Sequence, residues 1–133
     1  MRVAVDTNVV VRFLVRDDEK QAALVYKRLK QAEVQKERLT VSLLVVLETI
    51  WVLESAYERT REEILESFST LRQMPIFDFE ASDVVEGMLR DGRDVKADLS
   101  DVLIAHSSKQ LGCESGLTFD KQAAKLPFFH LLK

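Results

Sequence analysis

Arg2-Val3-Ala4-Val5-Asp6-Thr7-Asn8-Val9 is the stretch that decides the fold. Alternation through β-branched residues from Arg2 to Asp6 predicts a short strand. Asp6-Thr7-Asn8 then offers side-chain oxygens to cap a helix whose buried side comes from Val9 to Val15. The same strand-then-helix rhythm runs outward along the chain. Arg38–Val41, Ile76–Phe79, Ser115–Phe119 and Phe128–Leu132 read as further short strands. Helices are predicted from Asp17 or Asp18 to about Glu33, and from a Ser42 cap to about Tyr57. Others follow from a Thr60-Arg61-Glu62-Glu63 capping box to Met74-Pro75, over Ala81–Arg90, over Asp98–Leu111 with Gly112 as the stop, and briefly over Lys121–Lys125. Short strands alternating with helices are the pattern of a parallel sheet covered on both faces. No repeat or linker interrupts it, so residues 1–133 are expected to form one α/β domain.

Composition narrows the chemistry. Four glycines and two prolines leave little material for the turns of an all-β sandwich. The single cysteine, Cys113, excludes an internal disulfide and a multi-thiolate zinc site, and only His106 and His130 stand beside it as soft ligands. The net charge of −3 argues against a simple electropositive surface for nucleic acid. If five acids are gathered in one pocket, however, the remaining surface becomes mildly basic. The first residues resemble no signal peptide, and the longest apolar stretch, Leu43 to Leu53, is too short to span a bilayer. A reducing, cytoplasmic location is expected.

Five carboxylates stand where acids are expensive or where ligands gather. Asp6 follows the first strand and Asp120 follows Gly116-Leu117-Thr118-Phe119, both at the strand end where open parallel sheets bind ligands. Taken singly, each is explained more simply by helix capping than by a functional role. Glu48 lies within Leu43-Leu44-Val45-Val46-Leu47-Glu48-Thr49-Ile50-Trp51-Val52-Leu53, a helix apolar around almost its whole girth. A buried carboxylate there needs an arginine or a metal to compensate it. Asp98 and Asp101 in Lys96-Ala97-Asp98-Leu99-Ser100-Asp101-Val102-Leu103-Ile104-Ala105 sit one helical turn apart. Asp98 also suits an N-cap.

Packed around a parallel sheet, these acids would meet at one edge and require a cation. Ligation by oxygen alone selects a hard ion, Mg²⁺ or Mn²⁺. Such an ion holds phosphates and lowers the pKa of water, which points to phosphodiester hydrolysis.

The quoted motifs, in their order and intervals, resemble the PIN-domain family over essentially the whole chain. They are Val5-Asp6-Thr7-Asn8-Val9, Glu48 on its apolar helix, Asp98-Leu99-Ser100-Asp101-Val102-Leu103-Ile104-Ala105 and Leu117-Thr118-Phe119-Asp120-Lys121. The ending Ala124 to Leu132 resembles VapC-type members. The resemblance implies a three-layer α/β/α sandwich with a central, mainly parallel sheet of about five short strands. It also implies an Mg²⁺- or Mn²⁺-dependent endoribonuclease acting on RNA, the toxin of a toxin–antitoxin pair, with a cognate antitoxin protein as partner and a homodimer as the usual assembly. By position, Asp6, Glu48, Asp101 and Asp120 match the family's acidic quartet, Asp98 matches an acid common in one subgroup, and Asn8 and Thr118 match supporting polar positions.

His106 stands where a small residue is more usual and reads as a packed or solvent-facing histidine, not a base. Trp51, Phe68, Phe77, Phe79, Phe119 and Phe128 read as core or subunit contacts rather than base-stacking platforms. Arg12 with Arg16, and Lys121 with Lys125, are spaced one turn apart after Asp6 and Asp120. They are ordinary helix surface unless they flank the acids, where they would guide an RNA backbone. Cys113 reads as a small buried residue. Two rival functions remain at this level. A phosphoacceptor receiver-like signalling domain would use Asp78 and Lys121, but Asp6-Thr7-Asn8 lacks its early acidic pair. A non-catalytic PIN-fold binding protein would keep the fold without the chemistry.

Overall fold

The structure, a computed structural model, describes residues 1–133 and contains the five expected strands, with every pairing parallel. The chain divides into two compact units, Met1–Glu80 and Ala81–Lys133. In the first unit the order is β1 (Arg2–Ala4), α1 (Thr7–Leu14), α2 (Glu19–Gln35), β2 (Arg38–Val41), α3 (Leu43–Ser55), α4 (Arg61–Gln73) and β3 (Phe77–Phe79). Its ladder runs β1-β2-β3, with Val3 opposite Leu39 and Thr40 opposite Asp78. In the second unit α5 (Ser82–Asp91) and α6 (Leu99–Gln110) precede β4 (Gly116–Thr118), a 3-10 turn over Ala123–Lys125 and β5 (Phe129–Leu131). There β4 pairs with β5, Leu117 lying opposite His130. The strands are thus joined three and two, not in a single ladder of five.

Helix starts are set by the capping residues that the sequence displays. Asp6, Asp18, Ser42 and Thr60 each accept a hydrogen bond from the backbone N–H three residues on. The Thr60/Glu63 pair closes a reciprocal capping box, and the Glu63 carboxylate is held below its usual range chiefly by the Thr60 backbone N–H. Two residues near helix ends, Ala81 and Cys113, differ from expectation. Ala81 is not helical but left-handed at φ 51°, so α5 begins at Ser82. Gly112 at φ 95° ends α6, and Cys113 beyond it is exposed rather than buried, because that turn carries the chain out to solvent.

Val10, Val11, Leu39, Val41, Val46, Ile50, Leu53, Ile64, Phe68 and Leu71 fill the first core, and Val84, Val85, Met88, Leu99, Val102, Phe128 and Phe129 fill the second. Two aromatics assigned to cores or subunit contacts stand outside the core: Trp51 is 66% exposed and Phe119 80%. No helix is long and apolar enough to cross a membrane.

Candidate metal centre

Asp98, Asp101 and Asp120 come together in the second unit, with one carboxylate oxygen from each lying within 4.8 Å of the others. Local chain geometry puts them there. Asp98 holds the N-cap position of α6, and its carbonyl accepts from the N–H groups of Asp101 and Val102 at 3.0 and 3.1 Å. Its side chain makes no capping bond, so capping does not account for this acid. Asp101, one turn into the helix, is half-buried. Burial and then the charges of Asp98 and Asp120 push its carboxyl above the usual range. Asp120 leaves β4 in a tight turn: its Oδ1 accepts from the N–H groups of Gln122 and Ala123 at 2.8 and 2.9 Å, while its own N–H donates to Thr118 Oγ1 at 3.0 Å. Thr118 therefore supports the acid that follows it.

Three carboxylates this close repel one another, and the charges of Asp98 and Asp120 add to burial in raising the Asp101 carboxyl. Three oxygen donors with no histidine or cysteine among them fit a hard divalent cation.

In the first unit, Asp6 caps α1 by accepting from Val9 N–H at 3.1 Å and remains exposed. Glu48 is the main correction to the sequence reading: it lies on the exposed side of α3, not in a core. No arginine pairs with it, so the salt bridge offered as its simpler explanation is not formed. Buried Thr7 donates its hydroxyl to the Glu48 carboxylate. Sequence reasoning singled out Asn8 and overlooked Thr7, whose role depends on a partner 41 positions away. Asn8 itself is exposed on α1.

The cations proposed for RNA contact divide into two kinds. Arg12 donates to Gln21, Asp17 and Tyr57 at 2.7, 2.5 and 2.9 Å, which makes it a structural tie rather than a free charge. Arg16 stacks 4.4 Å from the Tyr26 ring centroid and stays exposed. Lys121 and Lys125 are exposed. His106 is packed as expected: its Nε2 lies 2.8 Å from Asp91 Oδ2, and its ring occupies the space over Gly87. Asp78, the phosphoacceptor candidate, is engaged by Arg2 at 2.6 Å and lies on β3 at the margin of its ladder, not at the end of a central strand.

These elements carry a recognised family pattern. Residues 3–129 match the PIN domain, and the chain belongs to that family. It is also 26% identical over 125 residues to the VapC ribonuclease of Aquifex aeolicus (strain VF5), an alignment that takes in 92% of this chain and 90% of that protein.

Proposed function

We propose that this chain is a divalent-metal-dependent endoribonuclease, acting as the toxin of a VapBC-type pair with RNA as substrate and a separate antitoxin as partner. The observation that carries the reading is the trio Asp98, Asp101 and Asp120, a donor set suited to Mg²⁺ or Mn²⁺. Membership of the PIN family and the likeness to a VapC ribonuclease support it. A bound divalent ion supplies positive charge against the phosphate and acidifies water for in-line attack.

The chain's own residues bind and orient. Asp101, Asp98 and Asp120 hold the cation, with Thr118 and the backbone N–H groups after Asp120 fixing the last of these. Asp6 and Glu48 are the further acids proposed to take part in the reaction, and Thr7 keeps the Glu48 carboxylate in one orientation. Lys121 and Lys125 meet the RNA backbone. The protein works as a homodimer in the cytoplasm. The deciding experiment incubates purified protein with structured RNAs and Mn²⁺, with and without EDTA, beside Asp6→Asn and Asp101→Asn. Cleavage should require the ion and fail in both variants. Cleavage indifferent to chelator and to both substitutions would exclude the mechanism.

A further inference from the structure

A cleft of about 370 Å³ opens in the second unit, bounded by the end of α5, the chain leading into α6, α6 itself and the segment before β5. That volume falls within the range of small-molecule sites, roughly 300–1,000 Å³. Its walls are apolar, from Val102 and Ala105 of α6 and from Pro127 and Phe128, and its rim is charged. None of Asp98, Asp101 and Asp120 lines it, so the cleft is separate from the metal centre.

The rim charges differ in their partners. Asp91 is satisfied within the chain: Arg90 Nε donates to its Oδ1 at 3.3 Å, and His106 Nε2 lies 2.8 Å from its Oδ2. Lys109 pairs with no acid, and its Nζ is held 5.7 Å from the Phe128 ring centroid. Asp94 makes no hydrogen bond or ion pair within the chain, which leaves both of its oxygens free. An unpaired cation and an unpaired carboxylate therefore line one apolar slot. They belong to its two ends, since Lys109 is in the last turn of α6 and Asp94 precedes the first. Val102 to Lys109 alone is two helical turns, about 10.5 Å.

We propose that this cleft binds a free guanosine monophosphate, with the phosphate on Lys109 and Arg90 and the base on Asp94. The proposal stands apart from the ribonuclease reading. Its ligand follows from the three parts of the cleft. Lys109 calls for an anion, and Arg90, whose terminal nitrogens are left free by its Nε bond to Asp91, adds a second cation. Arginine and lysine together suit a phosphate. The apolar walls suit a flat ring, and Asp94, an acceptor only, calls for N–H donors. An amino acid fails, because its ammonium and carboxylate share one carbon and cannot reach both ends. A polynucleotide fails at the far end, where Asp94 would meet a second phosphate. A nucleoside monophosphate carries phosphate at one end and base N–H groups at the other. Of the four RNA bases, guanine alone presents adjacent N1–H and N2–H₂ groups that match both oxygens of one carboxylate.

The test is isothermal titration of the full chain in EDTA, which keeps phosphate from binding through a metal ion. Guanosine 5′-monophosphate should bind saturably, one per chain. Uridine 5′-monophosphate and unphosphorylated guanosine should each bind about 10- to 150-fold more weakly, since each gives up hydrogen bonds to a charged group. Lys109→Gln should weaken guanosine monophosphate by the same factor and leave guanosine unaffected. Asp94→Asn should also weaken it and leave uridine monophosphate unaffected. Lys109 and Asp94 are both exposed, so the two variants should melt with the wild type. Asp101→Asn should bind the nucleotide as the wild type does. Absent saturation, equal affinity for uridine monophosphate, or indifference to Lys109→Gln and Asp94→Asn overturns the proposal. So does binding lost in Asp101→Asn and kept in Lys109→Gln, which would move the nucleotide to the acid trio. A guanosine-ended ribo-oligomer that binds more tightly than the mononucleotide, with the same dependence on both variants, would overturn the free ligand in favour of an RNA end.

Discussion

The Thr7 hydroxyl donates to the Glu48 carboxylate, tying the first turn of α1 to the middle of α3 across 41 positions of sequence. Thr7 is buried, so this donor has no freedom to follow Glu48 if the carboxylate swings. Groups that orient a functional carboxylate typically cost about 10- to 100-fold in metal affinity or activity when removed. Thr7→Val, similar in shape but without the hydroxyl, is expected to lower RNA cleavage by that order. Thr7→Ser should restore it. Equal rates for the two variants would show that the hydroxyl positions nothing.

Asp101 makes stability depend on pH in the direction opposite to a salt-bridged acid. Burial, reinforced by Asp98 and Asp120, holds its carboxyl above the usual range. The folded protein therefore retains this proton more tightly than the unfolded chain. No penalty exists below the unfolded value of about 3.9, and stability declines as pH rises through the raised folded value. Metal-free Asp101→Asn should melt above the wild type at pH 7, and the gap should close in acid. Added Mn²⁺ should raise the wild-type Tm and leave the variant's nearly unchanged. A variant melting below the wild type at neutral pH would contradict the electrostatic account.

Gly87 lies inside α5, where a glycine ordinarily costs about 1 kcal/mol against alanine. Here the His106 ring fills its side-chain space, since an added Cβ would sit 2.4 Å from Nδ1. Gly87→Ala should destabilise by roughly 1–3 kcal/mol through overpacking. Gly87→Ala with His106→Ala should recover most of that loss in denaturant melts. Additive losses in the double variant would show the contact to be irrelevant.

Arg28 and Glu37 pair at 2.7 Å, with the Glu37 side chain only 5% exposed and the arginine partly open to solvent. Removing the cation strands a buried carboxylate, and removing both partners does not. Arg28→Met should cost about 1–3 kcal/mol, with Arg28→Met/Glu37→Gln closer to wild type. Urea unfolding of the four proteins of this cycle measures the coupling directly.

Thr49 is fully buried and its hydroxyl has no hydrogen-bond partner within the protein. Thr49→Val removes that polar atom at almost constant volume and should stabilise by about 1 kcal/mol. A loss of stability would reveal a partner for the hydroxyl in solution.

Much of the fold is legible residue by residue. Asp18, Ser42 and the Thr60/Glu63 box announce helices that begin where they stand, because an N-cap acts through backbone groups two or three residues away. Arg38–Val41 is a strand with the predicted bounds. The pair Asp98 and Asp101 is visible for the same reason, its spacing being one turn of one helix. Glu48 is misread because α3 is apolar nearly all round. Periodicity then carries no direction, and only packing decides that Val46 and Ile50 turn inward while Leu44 and Trp51 do not. Cys113 is misplaced for a related reason: burial of a small residue just past a helix end depends on where the left-handed Gly112 sends the chain.

Local chemistry, then, is enough to set the alternation of strands and helices, the caps, the absence of thiolate or imidazole ligand clusters and the acids worth watching. Those properties follow from forces that act within a few residues. The hydroxyl that holds Glu48, the approach of Asp120 to Asp98 and Asp101, the loss of Arg12 to a structural network and the outward face of Trp51 are decided by tertiary structure. Each depends on which surfaces pack against one another, and packing energy is summed over residues far apart in the chain.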